Sequence, residues 1–290
     1  MKLRNNFAAF ILTHGRPDKV RTIKALRREG YTGKIFIIID DEDKTADEYR
    51  KRFPGIVHQF CKKEIAGTFD EADNFNERRT IVYARNASFE IAKKLGVRFF
   101  LQLDDDYTDF SYKQDEKFNY KTKTKIKYLD DLFEITLRFL EKTKTSSVAW
   151  AQGGDFIGGK NGRKNGSFAC NDITLKRKCM NTFFCDTEKP FKFVGRINED
   201  VNTYTESARR GKIFFTYTGL AIDQVQTQAN SGGMTDIYKL SGTYVKSFYS
   251  VIFAPSCVKI TTMGPKERRI HHRVSWVNCC PLILPERVKK

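Results

Sequence analysis

This chain contains no apolar stretch of 18 residues or more, so no helix of it is expected to cross a membrane. The apolar run near its start, Phe7-Ala-Ala-Phe-Ile-Leu12, is too short for a signal-peptide core and no cleavage site follows it. None of the seven cysteines forms a CxxC pair, and the adjacent Cys279 and Cys280 are poor candidates for a mutual disulfide. Reduced thiols in a cytoplasmic protein are therefore expected. No internal repeat and no clear linker interrupts the 290 residues, a length that can bury one large core. One domain over residues 1–290 is the expectation. Negative charge is also scarce, with 35 Asp and Glu against 52 Lys and Arg, a formal net charge of +17. Such an excess points to a polyanionic partner, nucleic acid first and an anionic membrane second, with a merely solubilising surface as the alternative. The acidic residues cluster in a few motifs and leave the rest of the surface strongly basic.

The most informative cluster is Arg98-Phe-Phe-Leu-Gln-Leu-Asp104-Asp105-Asp106-Tyr107. An apolar stretch of strand length passes directly into three carboxylates. Continuous apolar strands are the buried, parallel kind found in α/β domains. Ligands in such open sheets bind beyond the carboxyl ends of the strands. Asp104 and Asp106 form an Asp-x-Asp pair able to hold Mn²⁺ or Mg²⁺ against a diphosphate. A solvated acidic turn or a helix N-cap is the plain alternative. A calcium loop lacks support, because the Gly and distal Glu of the EF-hand spacing are missing.

The first hundred residues alternate strand and helix. Phe7 to Leu12 reads as a strand, and a helix follows from Pro17 to about Arg28, with Gly30 as its terminator. Lys34 to Ile39 is a second strand, and a short helix follows Thr45. A polar loop covers roughly residues 62 to 77. Ile81, Ala84, Ser88, Ile91, Ala92 and Leu95 keep helical spacing, closed by Gly96. This βαβα order implies a parallel sheet with right-handed crossovers. Later, Leu129 to Leu140 reads as an amphipathic helix, residues 153 to 166 as a Gly-rich loop, Asn198 to Ala208 as a helix and Lys212 to Tyr217 as a strand. Lys121, Lys123, Lys125 and Lys127 form the strongest basic patch. As a strand they would share one face, and in either form they would grip phosphates without reading bases.

Each strand end of the N-terminal half carries polar groups. Thr13, Gly15 and Arg16 follow the first strand, where backbone NH groups and a guanidinium could take a phosphate. Asp40 and Asp41 follow the second and could accept from ribose hydroxyls or a base NH. Arg85 lies beside the apolar stripe of its helix and needs an anionic partner, either a diphosphate or a nearby Asp. Glu199 and Asp200 begin a helix, where they could compensate its dipole or supply a general base. His271 and His272, half of the chain's histidines, sit in a basic segment where one could face a metal or diphosphate.

Taken in order, Thr13-His-Gly15-Arg16-Pro17, Asp40-Asp41-Glu-Asp43-Lys44-Thr45, Tyr83-Ala84-Arg85-Asn86, Asp104-Asp105-Asp106-Tyr107 and Asn198-Glu199-Asp200-Val201 resemble the TET/JBP-associated glycosyltransferases of bacteriophages. The resemblance spans residues 7 to about 230, and it implies a nucleotide-sugar-binding half over residues 1–110 and an acceptor-binding half over residues 111–290. It implies a GT-A-like α/β fold, with a mostly parallel central sheet flanked by helices, a basic insertion and an irregular C-terminal part. It also implies transfer of a sugar from a nucleotide-diphosphate donor, a UDP-sugar, to the hydroxymethyl group of 5-hydroxymethylpyrimidines in double-stranded DNA. By the resemblance, Asp104 and Asp106 match the metal motif for Mn²⁺ or Mg²⁺. Thr13, Gly15, Arg16, Asp40, Asp41, Arg85, Asn86, Asp104 and Asp105 fall on the donor side. Asp200, with Glu199 beside it, matches the base, and His271 or His272 the C-terminal metal-binding histidine. A monomer in the host-cell cytoplasm is expected. A metal-dependent nuclease, a glycosyltransferase acting on protein or polysaccharide, and a basic DNA-binding protein remain the rival readings.

Overall fold

The computed structural model describes residues 2–73, 78–117, 120–152, 173–174, 179–180, 182–225, 245–263, 269–279 and 286. In chain order the elements are β1 (Phe7–Leu12), α1 (Thr22–Arg28), β2 (Lys34–Asp40), α2 (Ala46–Arg52), β3 (Val57–Phe60), α3 (Lys62–Ala66), α4 (Val82–Lys94), β4 (Phe99–Asp104), β5 (Tyr107–Gln114) and β6 (Tyr120–Lys125). They continue with α5 (Leu129–Lys142), β7 (Ser147–Gln152), β8 (Ile173–Thr174), β9 (Phe183–Asp186), α6 (Glu199–Arg209) and β10 (Phe214–Gln224). Last come helix α7 over 245–253, β11 (Val258–Met263), β12 (Arg269–Val274) and α8 (Trp276–Cys279).

One large sheet runs β3-β2-β1-β4-β9-β7-β10-β5-β6, with β8 pairing on β10. Along that path only β9 and β5 run against the other strands. The side chains of β1 explain why it reads as unbroken apolar sequence. Phe7, Ala9 and Ile11 enter one core, and Ala8, Phe10 and Leu12 enter another on the opposite face. Helices α1, α2 and α5 bury Leu26, Tyr49 and Phe133 in the first core. Helices α4 and α6 bury Phe89 and Tyr204 in the second. A sheet covered on both faces leaves its strand ends as the open edge, which is where ligand chemistry collects.

Three boundaries differ from expectation, each for a tertiary reason. Helix α1 begins at Thr22 rather than Pro17, because the preceding turn is pinned to the third strand end. The Arg21 amide donates to the Asp105 carbonyl at 2.8 Å, and Thr22 Oγ1 donates to the Asp104 carbonyl at 2.6 Å. Helix α3 forms inside the expected loop, because Lys62 is drawn inward by Asp40. Strand β10 extends to Gln224, because β7 and β5 pair with it on either side. Gly30 does close α1, at φ +89°, where a Cβ would overlap the Lys127 carbonyl oxygen. The expected Gly-rich loop at 153–166 lies outside the described residues.

Candidate active site

Parallel pairing sets Leu12 level with Ile38 and with Asp104, so β1, β2 and β4 end together. The residues beyond those ends form two layers. The lower layer braces the edge. Asp105 is buried, and both of its oxygens are engaged: Thr13 Oγ1 donates to Oδ2 at 2.6 Å, and Arg16 Nη2 donates to Oδ1 at 3.0 Å. Tyr49 completes this knot, with its hydroxyl 2.7 Å from Thr13 Oγ1 and accepting from the Arg16 amide at 2.9 Å. Three residues expected on the donor side are thus held within the protein: Asp105 by Thr13 and Arg16, the Arg16 guanidinium by Asp105, and the Gly15 amide by Asp43 Oδ2 at 2.8 Å.

Asp40 is likewise saturated. His14 Nδ1 lies 2.8 Å from its Oδ2, and the buried Lys62 Nζ lies 2.9 Å from its Oδ1. Burial pushes the Asp40 carboxyl up, but His14 and Lys62 outweigh it and hold it below the usual range. Asp41 remains exposed, accepting from the Lys62 amide at 2.9 Å, and is also held below its ordinary value. Asn86 is turned away from the open edge, because its amide group exchanges two hydrogen bonds with the Phe193 backbone, at 3.0 and 2.9 Å. Tyr49, Lys62, His14 and Asp43 were not singled out from sequence. His14 and Asp43 stand within the quoted motifs, whereas Lys62 gave no local signal.

The upper layer is a carboxylate cluster around one guanidinium. Arg85, 1% exposed, donates from Nε to Glu199 Oε1 at 2.9 Å and from Nη2 to Asp104 Oδ1 at 3.2 Å. Its charged end lies over Phe183 and Phe193, at 5.1 and 5.7 Å from the ring centroids. Of the two partners open to it from sequence, the nearby carboxylates hold Arg85, while its buried Nη1 has no hydrogen-bond partner among the described residues. One cation does not balance this charge. Burial, with repulsion from Asp106, Asp105 and Asp200 overcoming the pull of Arg85, pushes Asp104 up to about 7. Burial and Asp105 push Asp106 up to about 6. Burial and Asp200 raise Glu199 as well. Carboxylates of this kind could hold a divalent cation shared with a diphosphate, Asp104 and Asp106 among them.

Glu199 and Asp200 open α6 and divide their roles as neighbours on a helix turn must. Glu199 is bound to Arg85, while Asp200 makes no ion pair among the described residues and caps the Val201 amide at 2.7 Å. Asn198 ahead of them has φ +57° and is held there from two sides. Its Nδ2 donates to the Lys246 carbonyl at 2.8 Å and lies 3.4 Å from His272 Nδ1. His272 is pushed down to about 4 by burial, with His271 and Lys246 adding to the effect, so its imidazole is neutral. Among the described residues no three His, Cys, Asp or Glu side chains gather as a metal cage. β12 ties His272 to Asn198, the residue before Glu199, at 3.4 Å.

The lysine patch lies on β6, at the edge of the sheet, with Lys127 beyond the strand. Lys123 Nζ is 2.9 Å from Asp109 and 3.4 Å from Asp223, and Lys121 Nζ is 3.4 Å from Asp115. Two of the four cations are thus already paired, as befits an edge strand protected by lysines.

The family model for the TET-associated glycosyltransferases matches residues 7–233. The chain belongs to that family. This TET-associated glycosyltransferase matches no curated protein. Among solved structures it is similar to glucosyl-3-phosphoglycerate synthase from Mycobacterium tuberculosis in complex with Mg²⁺ and UDP, at 8% identity and a TM-score of 0.42, over 92% of this chain and 87% of that one. It is also similar to GalNAc-T7 with UDP, GalNAc and Mn²⁺, at 10% identity and a TM-score of 0.43, over 78% of this chain and 44% of that one. The glycosyltransferase has the mostly parallel, helix-flanked α/β sheet expected from its sequence. Among its described residues no helix is long and apolar enough to cross a membrane.

Proposed function

We propose that this glycosyltransferase moves a sugar from a UDP-linked donor to the hydroxymethyl group of a 5-hydroxymethylpyrimidine in duplex DNA. The observation that carries the reading is the carboxylate cluster at the strand ends. Asp104 and Asp106 are pushed up to about 7 and about 6 where a nucleotide diphosphate and its cation would meet the sheet. Family membership supports sugar transfer, and the net charge of +17 supports a DNA acceptor. Residues 1–110 form the donor half, held rigid by the Thr13–Asp105–Arg16 and His14–Asp40–Lys62 ties, and residues 111–290 form the acceptor half. Mn²⁺ or Mg²⁺ on Asp104 and Asp106 would neutralise the diphosphate charge.

Asp200 acts as the general base. Arg85 occupies its neighbour Glu199, whereas Asp200 makes no ion pair among the described residues, which supports Asp200 as the carboxylate of the pair that serves the acceptor. The hydroxymethyl oxygen bonds to the anomeric carbon, its proton passes to Asp200, and the bond from that carbon to the diphosphate breaks to release UDP. Incubating the protein with hydroxymethylated duplex and a panel of nucleotide sugars tests this. Sugar-bearing DNA with stoichiometric UDP is the expected product. Strand scission would instead mark a nuclease, binding without UDP release a DNA-coating protein, and transfer only to protein or polysaccharide a different acceptor.

A further inference from the structure

Among the described residues, strands β11 and β12 pair only with each other, apart from the large sheet. Their register sets Lys259 opposite Arg273 and Thr261 opposite His271. Residues directly opposite in an antiparallel pair project from the same side, with Cβ atoms roughly 5 Å apart. Lys259 and Arg273 are both exposed, and neither has an acidic partner among the described residues. Like charges opposed in this way weaken a ladder, unlike Lys121 and Lys123 of β6, whose cations are matched by Asp109, Asp115 and Asp223. An anion lying across the pair removes that cost.

The other side of the ribbon anchors it. Val258 is buried in the second core with Val274 packed against it, and His272 meets Asn198. Below the ribbon, the Ser275 amide donates to the Cys257 carbonyl at 2.8 Å, and Trp276 packs on Tyr204 of α6 with ring centroids 5.3 Å apart. The basic face is thereby mounted on the helix that begins with Glu199 and Asp200.

We propose that the exposed face of the β11–β12 ribbon, centred on Lys259 and Arg273, grips the phosphate backbone of the acceptor duplex beside the reacting base. This rests on the DNA acceptor proposed above and assigns the surface that holds it. A two-stranded ribbon is narrow enough to follow a groove, and Lys and Arg contacts to phosphate fix the register of the duplex without choosing its sequence. The β6 lysines, expected from sequence to hold DNA, are secondary.

The test is the salt dependence of duplex binding by the Lys259→Ser/Arg273→Ser double variant, with Lys121→Ser/Lys123→Ser for comparison. Each lost phosphate contact lowers the log–log slope by about 0.9, so the ribbon variant should lose about 1.8 and the β6 variant clearly less. UDP affinity and donor hydrolysis without acceptor should stay at wild-type values, which also reports an intact fold. Should the double variant fail to fold, Lys259→Gln alone should lower the slope by about 0.9. An unchanged slope in a ribbon variant, while the wild type binds and glycosylates duplex, overturns the ribbon assignment and leaves the acceptor reading intact. A wild-type protein that hydrolyses UDP-sugar yet neither binds nor glycosylates duplex overturns both.

Discussion

Replacing Arg85 with methionine retains most of the side-chain stem while removing the guanidinium. That group is 1% exposed and bridges Glu199 at 2.9 Å and Asp104 at 3.2 Å. Its removal leaves the buried Glu199 and the half-buried Asp104 without their shared cation beside Asp200. Breaking a buried ion pair from one side costs about 3–5 kcal/mol, because the partner charge stays buried. In a chain of this size each kcal/mol moves the thermal midpoint by about 2–4 °C, so a fall on the order of 6–20 °C is expected at pH 8. The pH dependence identifies the cause. Arg85 holds both carboxylates down; without it they lie still higher, and the native state binds protons more tightly than the unfolded chain. Stability of the variant should therefore fall as pH rises from the unfolded carboxylate value of about 4 through 7, and recover on acidification. Adding Glu199→Gln to the variant should restore part of the loss, since the neighbouring repulsion is then gone. Thermal unfolding of the three proteins at pH 5.5 and pH 8 measures all of this. A variant that melts within about 2 °C of wild type at both pH values would refute the argument.

Three further outcomes follow from the same cluster. Asp106→Asn should abolish metal-dependent UDP binding and turnover with the fold intact, read by calorimetry and circular dichroism; full wild-type activity in EDTA would remove the metal from the account. Asp200→Asn should keep UDP and DNA affinity and lose turnover by about two to four orders of magnitude, the usual share of a general base; normal turnover with a dead Glu199→Gln would exchange their roles. In the wild type, Asp104 at about 7 and Asp106 at about 6 both lie above ordinary carboxylates, so metal-free stability should decline between pH 5 and 8. Mn²⁺ with UDP should raise the midpoint most at the alkaline end, where both groups are ionised; a flat profile in melting scans would count against buried, uncompensated carboxylates.

The sequence by itself determined the elements whose periodicity is local. The apolar runs at Phe7, Lys34 and Phe99 carry their strand character in consecutive residues, because a strand buried on both faces needs no alternation. The stripe from Ile81 to Leu95 and the carboxylates after Leu103 were legible for the same reason. So was the convergence of three strand ends on one edge, which follows from βαβ connection rules. Tertiary structure alone decided which polar groups remain open there. Arg85 and Glu199 are 114 residues apart, and only the docking of α6 against α4 turns a possible diphosphate ligand into a buried bridge. Lys62 looked like loop surface until β2 and α3 enclosed its ammonium beside Asp40. The basic strand β6 and the β11–β12 ribbon look alike in charge along the chain. Tertiary contacts paired Lys121 and Lys123 of the first with aspartates, and cross-strand register set Lys259 against Arg273 in the second. Register and docking depend on residues far apart in sequence, so no local pattern could have carried them.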